Sequence, residues 1–196
     1  MAQVKKTEVR EALLASAHRL FAKRGYAKTG VAQIAAGARV SEANLYVYFH
    51  SKLDLFFGVY EPWLRERIHR LEGQLASQRS PRRRLHTVLK VLWRELPADD
   101  GGFTNNLIQA LSTTERREGY KPTLLNWVEG RVETMLQSTI PPTRWKALKR
   151  GRLVHMLVMA QDGFALASHL DAHGTCPAAT LDMMVDLLLG SGKSRA

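Results

Sequence analysis

Cysteine is nearly missing from this chain: there is one, Cys176, in 196 residues. One thiol makes no intrachain disulfide and builds no cysteine zinc cluster, which fits a reducing cytoplasm. Beside Pro177 it reads as a small packing residue. Acidic side chains are also scarce, 18 against 29 Lys and Arg, so the formal net charge is +11. Such an excess attracts polyanions over long range, nucleic acid or an anionic membrane first, or else it is a solvated basic surface. Long apolar runs are missing too. No stretch reaches the roughly 18 uncharged residues of a membrane span, and the most apolar one, 154–170, is broken by Gln161, Asp162 and His169. The first residues carry lysines but no apolar run suited to an export signal. A cytoplasmic protein without a membrane partner is expected. Alternating strand patterns are absent as well, so an all-α fold is expected. His155, His169 and His173 lack the tight acid and histidine spacing of a metal site, so no metal and no cofactor is expected.

What is present is apolar spacing of three and four. Hydrophobic residues make up 45% of the chain, enough for a core. The first helix should begin near Thr7 and run to Lys23 or Arg24, with Val9, Leu13, Ala17, Leu20 and Phe21 on one face. Gly25 supplies its stop. Thr29 is placed to cap a second, two-turn helix carrying Val31, Ile34, Ala35 and Ala38 inward and ending between Gly37 and Arg39. Ser41 caps a third, with Leu45 and Phe49 inward. Ser51 opens a fourth, and "SKLD" has the form of a capping box closed by Asp54. Two short capped helices joined by a tight turn, braced by a longer one, make a helix-turn-helix.

Longer helices should follow. Leu53, Phe56, Val59, Trp63 and Leu64 continue the fourth, which Pro62 should kink or interrupt. "SPRRRLHTVLKVLWREL" reads as another with Pro81 in its first turn, and 97–102 as a loop. Helical patterns resume at 103–117, 120–140, 143–170 and 178–189, about nine helices in all. Arg82, Arg83 and Arg84 read as a solvated face, an accessory DNA contact being the lesser alternative.

The third helix carries the chemistry. In a helix-turn-helix the second helix of the pair brings its N-terminal residues to base edges in the major groove. Asn44 suits bidentate pairing with adenine, Glu42 can accept from a cytosine amino group, and Ala43 and Val47 can touch a thymine methyl. The Tyr46 hydroxyl can donate to a phosphate. Lys52 stands in the first turn of the next helix, where ammonium and free backbone N–H groups both favour a phosphate.

These residues resemble the DNA-binding domain of the TetR (tetracycline-repressor) family of bacterial transcriptional regulators. The resemblance covers residues 9–60. It rests on "ALLASAHRLFAKRGYAKTGVAQIA" and "VSEANLYVYFHSKLDLF": Phe21, Gly25 and Tyr26, Thr29, Ile34 and Ala35, Ala38, Val40 and Ser41, Leu45, Tyr46, Tyr48, Phe49 and Lys52. It implies a three-helix DNA-binding domain at 1–52 and a helical effector-binding and dimerisation domain at 53–196. It also implies phosphate contacts at Thr29, Tyr46 and Lys52, and groove contacts at Ala43, Asn44, Val47 and Tyr48, with His50 in the same set. Two positions depart from the family pattern. Arg39 stands where the family usually has glycine; it is strained by about 1 kcal/mol if the turn stays left-handed, or it lies near the DNA backbone. Glu42 stands where the family often has Lys or Arg, and either reads cytosine or favours the helix N-terminus.

The resemblance further implies a homodimer paired through the last two long helices. The apolar stripe of Leu153, Leu157, Ala160, Phe164, Ala167 and Leu170, flanked by Met156 and Met159, allows it, as do Met183 and Leu187. Two heads would span half-sites roughly 34 Å apart on a palindromic double-stranded operator. A small-molecule effector, apolar or aromatic, would bind among the middle helices, with Trp93, Phe103, Trp127, His155, Met156, Met159, Gln161, Asp162 and Phe164 as candidate walls. The expected function is a ligand-responsive repressor released from its operator by that effector, and not an enzyme. The alternatives are an interaction module that has kept the scaffold and lost DNA binding, which Arg39 and Glu42 would favour, and a helical-bundle enzyme, for which no catalytic constellation stands out. A gel shift with the gene's own upstream region separates the first reading from the other two.

Overall fold

Helix α1 covers Ala2–Arg24 in the computed structural model, which describes residues 2–99, 101–113, 122–150, 152–170 and 176–190. It starts ahead of Thr7, which therefore lies inside it. The residues before Thr7 include strong helix formers and no breaker, so nothing stops the helix there. Leu13, Ala17 and Phe21 are buried, and Gly25 ends the helix with φ +79, the left-handed C-terminal stop.

Helix α2 spans Val31–Gly37 and α3 spans Glu42–Tyr46. The N-cap of α2 is Gly30, not Thr29; its N–H donates to Gln33 Oε1 at 3.2 Å. Ile34 and Ala35 are buried, whereas Val31 and Ala38 are only half-buried. Helices α1 and α2 cross closely because Gly37 has no side chain: a Cβ there would collide with Ser16 Oγ. That hydroxyl donates to the Ile34 carbonyl at 2.9 Å. Ser41 caps α3 by accepting from the Asn44 N–H at 3.1 Å. Leu45 is buried, and so is Phe49, although it follows the end of α3.

Helix α4 runs over Lys52–Ala76. Ser51 Oγ accepts from the Asp54 N–H at 3.0 Å, and Asp54 Oδ2 accepts from the His50 N–H at 2.9 Å. Pro62 lies inside α4 and does not interrupt it. Its ring is exposed, while Tyr60 and Leu64 on either side are buried. Packing on both flanks carries the helix past the one missing hydrogen bond.

The remaining helices are α5 (Pro81–Lys90), a π-helical turn (Val91–Glu95), α6 (Leu96–Asp99), α7 (Phe103–Thr113), α8 (Thr123–Gln137), α9 (Pro142–Arg150), α10 (Leu153–His169) and α11 (Ala178–Leu189). Among the described residues there is no strand, and the fold is all-α. Residues 114–117 of one expected helix and 120–121 of the next lie outside the described residues.

The helices divide into two units, Met1–Leu64 with Gly101–Tyr120, and Arg65–Asp100 with Lys121–Ala196. The core of the first is aromatic. Phe56 meets Phe21, Tyr26, Tyr60 and Phe103, with ring centroids 5.6–6.4 Å apart, the spacing at which tilted and offset ring pairs attract.

In the second unit α5, the π turn and α6 form one continuous run, so the expected loop at 97–102 begins later. Pro97 explains the π turn. Proline has no N–H, and its ring would strike the carbonyl four residues back, here Trp93. The wider turn bonds the Leu96 N–H to Val91 O instead. The Trp93 carbonyl accepts from the Cys176 N–H at 3.4 Å. The expected helix 143–170 is two helices, α9 and α10, divided at Arg152, whose φ is +53. Helix α11 has the expected bounds.

The three arginines of α5 are not simply a solvated face. Arg82 pairs with Asp182 and Asp186 on α11. The Arg84 guanidinium donates to the Leu75 carbonyl at 2.6 Å and to Thr139 Oγ1 at 3.1 Å, with longer bonds to the Gln78 carbonyl and Ser138 Oγ. It thereby ties the end of α4, where it meets carbonyls, to the two hydroxyls that follow α8. Arg84→Met should destabilise the protein by about 2 kcal/mol, read as a lower midpoint in urea; an unchanged midpoint would refute the bracing role.

Candidate functional site

The outward face of α3 is assembled by its caps. Ser41 starts the helix, Leu45 anchors it, and the remaining positions are left outside. Glu42 and Ala43 are exposed and Asn44 is half-buried. Tyr46 is 47% exposed and Val47 69%, high values for apolar-bodied side chains in a unit whose other aromatics are mostly packed. Tyr48 is half-buried and His50 exposed. The structure brings these residues onto one short helix and the turn that follows it.

Arg39 has φ +60 and an exposed side chain. Its N–H bonds to the Ala36 carbonyl at 3.0 Å and the next N–H to the Ala35 carbonyl at 3.0 Å, so the turn itself is tied. The turn keeps its left-handed residue although that residue is arginine, which carries the strain foreseen for it.

Lys52 is half-buried. Its Nζ lies 4.1 Å from the centre of the Tyr26 ring, a cation–π seat at the start of α4. Burial lowers its pKa. Thr29 differs from the expectation of a phosphate contact: it is 1% exposed, and its hydroxyl donates to the Gly25 carbonyl at 2.7 Å and the Leu20 carbonyl at 3.3 Å. In this arrangement its side chain ties off the end of α1. Sequence reasoning overlooked Arg10, whose guanidinium stands 5.3 Å from the Phe49 ring. It also overlooked Asn106 and Gln109. An asparagine at a buried position of an apolar helix was the available signal.

Among the residues named as effector walls, Trp93 and Phe164 are brought together. Trp93 is buried, donates Nε1–H to the Leu157 carbonyl at 2.9 Å and meets Phe164 at 5.4 Å. Phe103 belongs to the first unit and its aromatic core. Trp127 carries the Arg65 guanidinium 4.2 Å above its ring and His69 at its edge. His155 Nδ1 lies 2.6 Å from Glu129 Oε1. Both line a cleft of about 270 Å³ with Glu133, Arg152, Leu153 and Val154. Met159 is on the outside and Gln161 inside. Burial raises the Asp162 carboxyl to about 6. No group of three His, Cys, Asp or Glu among the described residues is placed to hold a metal ion.

The residues named for a dimer face also divide. Leu170 is 64% exposed, and Met183 and Leu187 about half, with Met156 and Leu166 also outward. Leu153 is half-buried, and Leu157 is buried within its own unit.

A capped helix pair braced by a long first helix, with an amide, a tyrosine and small apolar side chains turned outward, defines a helix-turn-helix head on a chain that continues as a helical second unit. Residues 13–59 match the family described as bacterial regulatory proteins, tetR family, and over them the chain carries that family's N-terminal domain. It is 30% identical over 96 residues to the HTH-type transcriptional activator FasR of Mycolicibacterium smegmatis. That match spans 49% of this chain and 44% of FasR, so the chain spans under half the length of that curated relative. Among solved structures it resembles FadR of Bacillus subtilis in complex with stearoyl-CoA, at TM-score 0.60 and 18% identity over 93% of this chain and 98% of that one. A TetR-family regulator from Streptomyces coelicolor gives TM-score 0.61 and 20% identity over 94% and 96%. At these identities the likeness speaks for the fold. No helix among the described residues is long and apolar enough to cross a membrane.

Two outcomes follow from this geometry. Arg39→Gly should raise stability by about 1 kcal/mol by relieving the left-handed strain, read as a higher midpoint in urea; an unchanged or lower midpoint would contradict the strain. Asp162 has a folded pKa above its ordinary 3.8, so between about pH 4 and 6 the folded state holds more proton than the unfolded one. Stability from this group is present below that window and falls as pH rises through it. The difference between wild type and Asp162→Asn in melting temperature, followed from pH 4 to 8, should therefore widen in favour of the variant; a constant difference contradicts the shift.

Proposed function

We propose that this protein is a ligand-responsive, DNA-binding transcriptional regulator that acts as a homodimer. The observation that carries the reading is the capped α2–α3 pair with Asn44, Tyr46 and Val47 turned outward, within residues that match the tetR-family domain. Tyr46 and Lys52 are assigned to phosphates, and Ala43, Asn44, Val47 and Tyr48 to the groove, with Glu42 and His50 at its margins. Phosphate contacts set register and base contacts set sequence. Thr29 can serve a phosphate only if its side chain leaves the tie it makes at the end of α1. The functional division is kept at 52/53, after the last phosphate candidate.

The dimer is supported by the outward apolar side chains of α10, its C-cap Leu170 and α11: Met156, Leu166, Leu170, Met183 and Leu187. Isolated apolar residues are ordinary on surfaces, but this many on two helices favours burial against a partner. A two-fold dimer suits an inverted repeat with half-sites about 34 Å apart. The effector is an apolar or aromatic small molecule. Because the FadR neighbour holds stearoyl-CoA, a long-chain acyl-CoA is the first probe to try. Repression released by ligand is the leading mode. Activation is the second reading, favoured by the FasR match.

The direct test is fluorescence anisotropy with duplexes from the gene's upstream region, with and without oleoyl-CoA. Tight binding to one duplex that salt weakens is expected. Lys52→Ala should lower the slope of log K against log salt by about one, and Tyr46→Phe should weaken binding at an unchanged slope. Unaltered affinity in both variants would sink the phosphate assignments. Met183→Glu with Leu187→Glu should sediment as a folded monomer, and a variant that stays dimeric would place the interface elsewhere.

A further inference from the structure

We infer that Asn106 and Gln109, on α7, are positioning residues for DNA recognition, holding the turn between α1 and α2 by their side-chain amides. The inference rests on the reading of the first unit as a DNA-binding head. Asn106 is 3% exposed and uses both ends of its amide on backbone. Its Oδ1 accepts from the Tyr26 N–H at 2.6 Å, and its Nδ2 donates to the Phe21 carbonyl at 3.3 Å. Gln109 Oε1 accepts from the Ala27 N–H at 3.2 Å. Residues 25–28 form a turn, so the N–H groups of Tyr26 and Ala27 have no place in either helix ladder. Two amides from a helix some 80 residues away meet them instead.

The turn matters because of what stands on it. The Tyr26 ring packs against Phe21 and Phe56 and seats the Lys52 ammonium at the start of α4. Three residues beyond Ala27, Gly30 opens α2, which leads into α3. Fixing the backbone at 26 and 27 thus fixes both the phosphate candidate and the entry to the reading pair. Helix α7 is also flanked in sequence on both sides by chain of the second unit.

The test uses full-length wild type, Asn106→Leu and Gln109→Ala. It combines hydrogen–deuterium exchange, thermal melting and anisotropy on a duplex selected by the wild type from a random library, with active protein titrated. Exchange at Tyr26 and Ala27 should quicken. Binding should weaken about tenfold for Asn106→Leu and about threefold for Gln109→Ala, on the order of one or less net hydrogen bond, with a shallower salt dependence. Lower melting temperatures with unchanged Kd and salt slope overturn the proposal, leaving the amides merely structural. If Asn106→Leu does not fold, Gln109→Ala decides alone: faster Ala27 exchange with unchanged Kd overturns it. A wild type that selects no duplex overturns it by failing the DNA-binding reading itself, an outcome visible before any variant is made.

Discussion

The last carbonyls of α1 have no partners inside the helix, and the first unit is organised around how they are met. A helix end leaves about four such groups, costly if buried unpaired. The Phe21 carbonyl receives the Gly25 N–H at 2.9 Å and the Asn106 amide. The Thr29 hydroxyl adds bonds to the Leu20 carbonyl, one turn inside α1, and to the Gly25 carbonyl just past its end. These bonds turn the chain sharply at Gly25, set Tyr26 into the aromatic core and deliver the chain to Gly30. The close crossing at Gly37 and Ser16 then fixes α2 on α1. With α2 fixed, the tied turn at Arg39 and the Ser41 cap leave α3 little choice of direction.

The second unit uses the same device on a larger scale. Pro97 forbids one helical bond, the helix widens into a π turn, and the Trp93 carbonyl is met by Cys176. Arg84 meets the Leu75 carbonyl at the end of α4 and the Thr139 hydroxyl just past α8, and Arg144 closes α11 by donating to the Leu188 carbonyl at 2.8 Å. Around these ties the core of α5, α8, α10 and α11 is mostly aliphatic, and Gln161 of α10 is buried as well. Helix α4 belongs to both units, with Lys52–Leu64 in one and Arg65–Ala76 in the other.

Much of the first unit was legible in the sequence because its signals are local. Caps at Ser41 and Ser51, the stop at Gly25 and the stripe of Leu13, Ala17 and Phe21 each act over one or two turns. What escaped depends on distant partners. Thr29 reads as a cap because threonine caps helices, yet its hydroxyl turns back to α1. Pro97 reads as a loop starter, yet a π turn absorbs it. Asn106 is unremarkable in sequence until the carbonyl and N–H groups it serves, some 80 residues away, are known. The effector walls were least legible, since an aromatic at helical spacing packs a core as readily as a ligand. Trp93, Phe103 and Trp127 indeed sit in three separate settings.

The central claim is that α3 reads double-stranded DNA from a two-headed protein. In vitro selection from a randomised duplex library, followed by sequencing of the bound pool, tests it most directly. The account predicts enrichment of an inverted repeat whose half-sites lie about one helical turn apart. A bound pool indistinguishable from the starting library would contradict it.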